Sequence, residues 1–107
     1  MRQWNVPPKK MCRQHLLGEH FEIHIFASAL RKRKCLDGFL VNGLLETHTL
    51  RRRHKALVQE MKRRGYKHKT PLPLFPRIRL GLINVKENIR ELARRCKECR
   101  SLQKGRR

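Results

Sequence analysis

The sequence predicts an all-α protein: a single compact domain of about three helices, with an extended N-terminal lead and a proline-rich crossing segment. Apolar residues recur at helical spacing in three separate stretches, and no stretch of useful length alternates as a strand does. The length of 107 residues suits one domain, residues 1–107, with one modest core.

The first helix is expected from about residue 8 to residue 34, after an extended lead at residues 1–6. Pro8 suits the first turn of a helix, where its missing N–H costs nothing. At about 100° per residue, one stripe collects apolar side chains that we expect to face the core. Its members are Cys12, Leu16, Ile23, Ala27 and Leu30.

The second helix is expected at about residues 45–64, after a turn at residues 35–39 that contains the Asp37-Gly38 pair. Gly65 follows the basic residues 62–64 and suits a left-handed C-cap at the negative end of this helix. Residues 70–76 contain three prolines, so this segment is expected to be extended and to cross the domain.

The third helix is expected from Asn84, with Glu87 as its capping partner, to about Leu102, followed by a basic tail at residues 104–107. Cys96 and Cys99 continue its apolar stripe. They would form half of a zinc site if Cys12 or a histidine completed it, but the second pair that such a site needs is not apparent. The pattern therefore favours buried free thiols.

The charge of the chain indicates a polyanionic partner. Lys and Arg total 28 against 8 Asp and Glu, a formal net charge of +20. Nucleic acid is the commonest partner that relieves such self-repulsion. An anionic membrane surface fits less well because the basic residues are scattered and form no single amphipathic helix. No apolar run reaches membrane-spanning length and no export signal is apparent, so we expect a cytoplasmic, nucleoid-associated protein that is not secreted.

Several basic residues are candidates for phosphate contacts, which position a protein on DNA without reading its sequence. They come from three runs, represented by Arg31 and Lys32, by Arg51 and Arg52 within residues 51–53, and by Arg63 and Arg64. Lys67 belongs to a fourth basic stretch. Its neighbour Tyr66 is equally compatible with a ring that faces DNA and with one that packs.

The stretch at residues 14–24 places polar groups on one side of the first helix. His15 and Glu22 are seven residues apart, about two turns, and Gly18 lies between them. A glycine inside a helix costs roughly 1 kcal/mol relative to alanine, which is tolerable where another molecule approaches the backbone. Glu19 and Glu22 are suited to acid–base work. The alternative is a solvated helix face with ordinary ion pairs.

Two sequence blocks carry a resemblance to a known family. Gln-His-Leu-Leu-Gly-Glu-His-x-Glu-x-His at residues 14–24 and the basic block at residues 50–72, with its Arg-Gly-Tyr, occur in the family's order. Over about residues 1–72 the chain resembles the pyrimidine-dimer DNA glycosylases, the endonuclease V type of ultraviolet repair enzyme. Phe21 departs from the pattern, which usually has arginine there. Residues 73–107 are unmatched.

The resemblance implies a DNA glycosylase with associated lyase activity at abasic sites, acting on ultraviolet-induced pyrimidine dimers in duplex DNA. It implies that the α-amine of Met1 attacks C1′ and forms an imine, and that Glu22 assists this step and the β-elimination that follows. It places Gln14 and His15 at the sugar–phosphate backbone and makes Arg2 the basic residue after the nucleophile. Because Arg2 is bulky, we expect Met1 to be retained. We also expect a monomer that needs no metal or organic cofactor.

A second class of function also accounts for the charge and the helices. A non-enzymatic, basic nucleic-acid-binding protein, ribosomal-like or architectural, needs no catalytic group. That interpretation gives no reason for His15, Gly18 and Glu22 to share one side of a helix.

Overall fold

The fold is built on five α-helices, and the computed structural model describes residues 1–105. The helices are α1 (Arg13–Arg31), α2 (Asp37–Val41), α3 (Leu50–Arg63), α4 (Val85–Arg95) and α5 (Lys97–Gln103), with 3₁₀ turns at Pro8–Lys10 and Thr47–Thr49. Residues 1–105 contain no strand, so the all-α prediction is confirmed. Arg106 and Arg107 of the expected basic tail lie outside the described residues. In the described part of the chain, no helix is both long and apolar enough to cross a membrane.

Helices α1 and α3 pack against each other over one apolar core. The predicted stripe of α1 is buried, and Leu50, Leu57 and Met61 of α3 face it. The start of α1 was predicted too early. Residues 8–10 form a 3₁₀ turn, and the extended backbone of Met11, with φ −108° and ψ 139°, separates that turn from α1. Met11 is thereby fully buried.

The second predicted helix begins at Leu50 and not at residue 45, because Glu46 is extended, with φ −132° and ψ 101°, where it meets the N-terminal lead. Its predicted end is confirmed. Gly65 has φ +84°, and the next N–H, from Tyr66, donates to the Met61 carbonyl at 2.8 Å. The turn expected at residues 35–39 instead contains the start of α2, in which Asp37 occupies the first turn, where an acidic side chain suits the helix dipole.

The third predicted helix is two helices. Its N-cap is confirmed, because Asn84 accepts the Glu87 N–H at 3.1 Å. Cys96 is extended, with φ −133° and ψ 115°, and ends α4 while its Sγ caps α5 by accepting the Cys99 N–H. The crossing segment, residues 70–76, is non-helical as expected. The chain just after it is tied to the 3₁₀ turn before α3, because Thr47 Oγ1 donates to the Ile78 carbonyl at 2.8 Å.

Candidate active site

The N-terminal lead, residues 1–6, is held rigidly against the helices. Gln3 is fully buried, donates its N–H to the Leu44 carbonyl at 2.8 Å and accepts the Glu46 N–H on its side chain at 2.9 Å. Trp4 is only 5% exposed, and its carbonyl accepts from the Asn88 side chain at 2.8 Å. Trp4 is therefore a core residue and is not placed to stack on a base.

Glu22 lies next to the start of the chain. Its Oε1 accepts the Arg2 N–H at 2.9 Å, and the carboxylate is half-buried. Met1 is one peptide unit away, its Cα about 3.8 Å from that of Arg2, and its side chain is 44% exposed. Among residues 1–105 no ion pair joins the Met1 amine to Glu22. Arg2, the residue next to Met1, is therefore the one that contacts Glu22.

The Arg2 side chain is held beside the same site by Asn88 and Trp4. Its guanidinium donates to Asn88 Oδ1 at 2.7 Å and lies 4.0 Å from the centre of the Trp4 ring. Burial, and next the charge of Arg95, lower the pKa of Arg2 below its ordinary value. A surface depression of about 560 Å³ opens beside Arg2 and Asn88 and is also lined by Arg90 and Arg94. Glu87 and Glu91 line the same depression, and Glu91 pairs with Arg94, so the lining carries charges of both signs. Arg2 is the lining residue that contacts Glu22.

Glu19, the second carboxylate of the motif, has a structural role. Its oxygens accept from Arg53 Nε and Nη2, both at 2.6 Å, and from the Trp4 N–H at 3.1 Å. Arg53 also donates to the Val6 carbonyl at 2.6 Å. Both side chains are buried. Phosphate contact by the third arginine of the 51–53 run is therefore excluded, because Arg53 holds the lead to α1.

The open side of α1 carries the rest of the motif. A Cβ at Gly18 would meet nothing within 4 Å, so packing inside the protein does not require a glycine there. Gln14 is exposed. His15 is half-buried and points its Nδ1 toward sulfur atoms, at 3.2 Å from Cys12 Sγ and 3.6 Å from Cys99 Sγ.

The basic residues predicted to contact phosphate differ in how free they are. Arg63 and Arg64 both bind Glu60, and the hydrogen bond from Arg63 is the main cause of the lowered pKa of Glu60. Arg64 also donates to the Met11 carbonyl at 2.6 Å, so its guanidinium is occupied inside the fold. Tyr66 is half-buried against the core. Arg63 is exposed although it binds Glu60. The remaining candidates are exposed as well: Arg31, Lys32, Arg51, Arg52 and Lys67.

Two groups of side chains within residues 1–105 have potential metal-ligand atoms that all lie within 4.8 Å of one another. The first, called here the thiol cluster, consists of Cys12, His15, Cys96 and Cys99. All three cysteines are free, and Cys12 and Cys99 are buried.

The second group, called here the histidine cluster, consists of His20, His24, His54 and His68. His24 and His54 share a hydrogen bond of 3.1 Å between their Nε2 atoms, and the rings pack edge to face or stacked. Burial, with the neighbouring histidines, lowers the pKa of both His20 and His54 to about 4. This hydrogen bond satisfies only two of the four rings, because His20 Nε2 and His68 Nε2 are buried without a hydrogen-bond partner among residues 1–105.

Sequence reasoning missed three features of this region. Arg53 was assigned to a basic surface run, and nothing local marks it as the partner of Glu19. Asn88 lies in the unmatched C-terminal part, yet it binds both Arg2 and Trp4. The Cys12-x-x-His15 pair was visible, but it was read separately as a core residue and a DNA contact.

Comparison with known proteins agrees with the motif. No curated protein and no solved structure matches the chain. A family model does, over residues 1–74, which includes the lead, α1, α3, Glu22 and the buried Glu19–Arg53 pair. The chain belongs to the pyrimidine dimer DNA glycosylase family.

Proposed function

We propose that the protein removes the base at a pyrimidine dimer in duplex DNA and then cleaves the strand, with the α-amine of Met1 as nucleophile and Glu22 as the acid–base group. One observation carries the proposal: the Arg2 N–H binds Glu22 Oε1 at 2.9 Å, which brings the beginning of the chain to a carboxylate on α1. The other carboxylate of the motif, Glu19, is fully engaged by Arg53 and Trp4.

The two groups suit the two stages of this reaction. An amine in its unprotonated form has the lone pair that nucleophilic attack on a sugar carbon requires. Its lone pair attacks C1′, the bond from C1′ to the base breaks, and the base takes up a proton while it stays joined to the other pyrimidine of the dimer. The sugar ring opens as the C1′–N bond becomes an imine. Glu22 stabilises the developing positive charge on the sugar.

Strand cleavage follows from the imine. Glu22 takes a proton from C2′, a C1′–C2′ enamine forms, and the C3′–O bond breaks to release the 3′ phosphate as leaving group. Hydrolysis of the conjugated imine frees the Met1 amine. Glu22 has no ion-pair partner within residues 1–105, so its carboxylate can accept the C2′ proton.

DNA binding is assigned to a cationic surface around Met1 and Glu22. Arg2, Gln14 and His15 belong to it, and the exposed residues Arg31, Lys32, Arg51, Arg52 and Lys67 extend it as phosphate contacts. Arg31 is nine residues after Glu22, about 14 Å along α1, so a duplex that reaches both must follow the helix. Arg64 is not part of the proposed surface, since its guanidinium binds Glu60 and two backbone carbonyls.

Borohydride trapping tests the proposed reaction. The protein is incubated with an ultraviolet-irradiated duplex, with an undamaged duplex of the same sequence as control. We expect a covalent protein–DNA adduct only on irradiated DNA and only when borohydride is present, because the reagent reduces an imine to a stable amine. Binding to irradiated DNA without any adduct would favour the non-enzymatic binding protein.

A further inference from the structure

We propose that the thiol cluster binds one structural zinc ion, which ties the start of α1 to the junction of α4 and α5. The ligands are Cys12 Sγ, His15 Nδ1, Cys96 Sγ and Cys99 Sγ. This site uses neither Met1 nor Glu22, so a test of zinc binding does not depend on the proposed reaction.

The spacing of the four atoms is that of a tetrahedral zinc site. With Zn–S bonds of about 2.3 Å and Zn–N bonds of about 2.0 Å, the edges of the tetrahedron are about 3.8 Å for S···S and about 3.5 Å for S···N. The structure has 3.8 Å between Cys12 and Cys96, 3.2 Å between Cys12 and His15, and 3.6 Å between Cys99 and His15. All four atoms lie within 4.8 Å of one another.

The ligands come as two pairs, each with two intervening residues and each at the start of a helix. Cys12 is the N-cap of α1 and His15 lies in its first turn, while Cys96 is the N-cap of α5 and Cys99 lies in its first turn. A short helical turn brings the two members of such a pair to one side, which is why this spacing recurs in zinc sites. The break between α4 and α5 at Cys96 creates the second pair.

Backbone N–H groups support the sulfur atoms as ligands. The Cys12 N–H donates to Cys99 Sγ at 3.2 Å, and the Cys99 N–H donates to Cys96 Sγ at 3.4 Å. Such outer hydrogen bonds stabilise zinc-bound thiolates and fix their orientation. Three thiolates, one neutral imidazole and Zn²⁺ have a net charge of 2 − 3 = −1. That charge is favourable in a chain whose formal net charge is +20.

Four protein ligands leave no open coordination position, which is typical of a structural zinc site and not of a catalytic one. The ion would crosslink α1, in the family-matched region, to the C-terminal part that the family model does not cover. Ligation through Nδ1 leaves Nε2 of His15 as the ring nitrogen available to the sugar–phosphate backbone. The zinc ion would thereby orient a side chain of the proposed DNA surface.

Cobalt substitution of the full-length protein tests this site directly, because a thiolate-bound Co²⁺ gives a charge-transfer band that imidazole ligands do not give. We expect purified wild-type protein to contain about one zinc per chain and its Co²⁺ form to show this band. Cys35→Ser is the matched control, since Cys35 is exposed and outside the cluster. It should retain both properties. Cys96→Ser should lower zinc affinity at least roughly 100-fold, more than the loss of an outer hydrogen-bond partner costs.

The wild-type spectrum makes the test independent of whether a cysteine variant folds. A folded wild-type protein whose Co²⁺ form lacks the thiolate band would overturn the proposal, even if metal is bound at the histidine cluster. Loss of the band in Cys35→Ser to the same extent as in Cys96→Ser would also overturn it.

Discussion

The two sides of α1 carry the same residue type in opposite roles. On the buried side, Glu19 binds a guanidinium and a backbone N–H, and its side chain is fully buried. On the open side, Glu22 is half-buried and receives one hydrogen bond, from the Arg2 N–H. The hydrogen bonds of the Glu19 carboxylate hold the N-terminal lead in place. The Glu22 carboxylate retains an oxygen that has no hydrogen-bond partner within residues 1–105.

The buried side of α1 positions the N-terminal lead, and the open side carries the proposed chemistry. Arg53 joins Glu19 to the Val6 carbonyl, and Asn88 joins the Trp4 carbonyl to Arg2. These buried contacts fix residues 2–6, so the first residue reaches Glu22 without binding it. The buried side should therefore control stability, and the open side should control the reaction.

The largest effect is expected on the open side, from Glu22→Gln. Loss of a general acid–base group costs about 10²–10⁴-fold in rate, while DNA affinity and the unfolding midpoint should stay close to wild type. Incision of irradiated duplex under single-turnover conditions measures the rate. Asp37→Asn is the control, because Asp37 is exposed on α2, away from the depression beside Arg2, and this variant should incise normally. Full-rate incision by Glu22→Gln would remove Glu22 from the mechanism.

On the buried side, Arg53→Met should destabilise the fold by about 3–5 kcal/mol, because it leaves the buried Glu19 carboxylate without its ionic partner. Urea denaturation followed by circular dichroism measures the loss. The neighbouring Arg52 is exposed, so Arg52→Met should change stability by no more than about 0.5 kcal/mol. Equal stability of the two variants would show that the Glu19–Arg53 pair does not hold the lead.

Gly18→Ala should separate the two sides more finely. Nothing lies within 4 Å of the added methyl group, so the variant should be more stable by about 1 kcal/mol through helix propensity. Affinity for irradiated duplex should fall, because the methyl group blocks approach to the backbone. Gly38→Ala in α2 also meets nothing within 4 Å and is the matched control, expected to bind normally. Unchanged affinity in Gly18→Ala would mean that DNA does not approach this side.

The smallest effect concerns the histidine cluster. His20 and His54 have pKa values of about 4 in the folded protein against about 6.5 when unfolded. The unfolded chain therefore binds protons first as the pH falls, and stability is lost between about pH 6.5 and 4. Solvent screening of these half-buried rings limits the loss. Urea midpoints at pH 7 and pH 5 should differ less in His20→Gln/His54→Gln than in wild type; an equal difference would remove the cluster as the cause.

Helical periodicity predicted most of the fold, because the stripes of α1 and α3 depend on residues close in sequence. The Gly65 C-cap and the Asn84 N-cap are likewise local and were confirmed. The predicted starts of α1 and α3 were wrong, and the break at Cys96 was not predicted. At each of these points the backbone is extended to meet a distant partner: Cys99 Sγ for Cys12, Gln3 for Glu46, and the other thiols for Cys96.

Residue spacing alone could not predict that Glu19 is buried and structural while Glu22 lies on the open side of α1. Both flank the same stripe, and which one is buried depends on where Arg53 of α3 arrives. The thiol cluster was within reach, since Cys12-x-x-His15 repeats the spacing of Cys96-x-x-Cys99. Cys12 or a histidine was considered as the partner of Cys96 and Cys99, but free thiols were favoured. The reason is that 84 residues separate Cys12 from Cys96 and only packing brings them together.

The central claim is that the chain's first nitrogen carries the reaction, and the location of the trapped adduct tests it most directly. After borohydride reduction on irradiated duplex, the complex is digested with nuclease and protease, and the modified peptide is sequenced by mass spectrometry. The account predicts that the sugar remnant lies on the α-amine of Met1, at the start of the mature chain. A remnant on a lysine side chain such as Lys67, or a mature chain that does not begin at Met1, would contradict it.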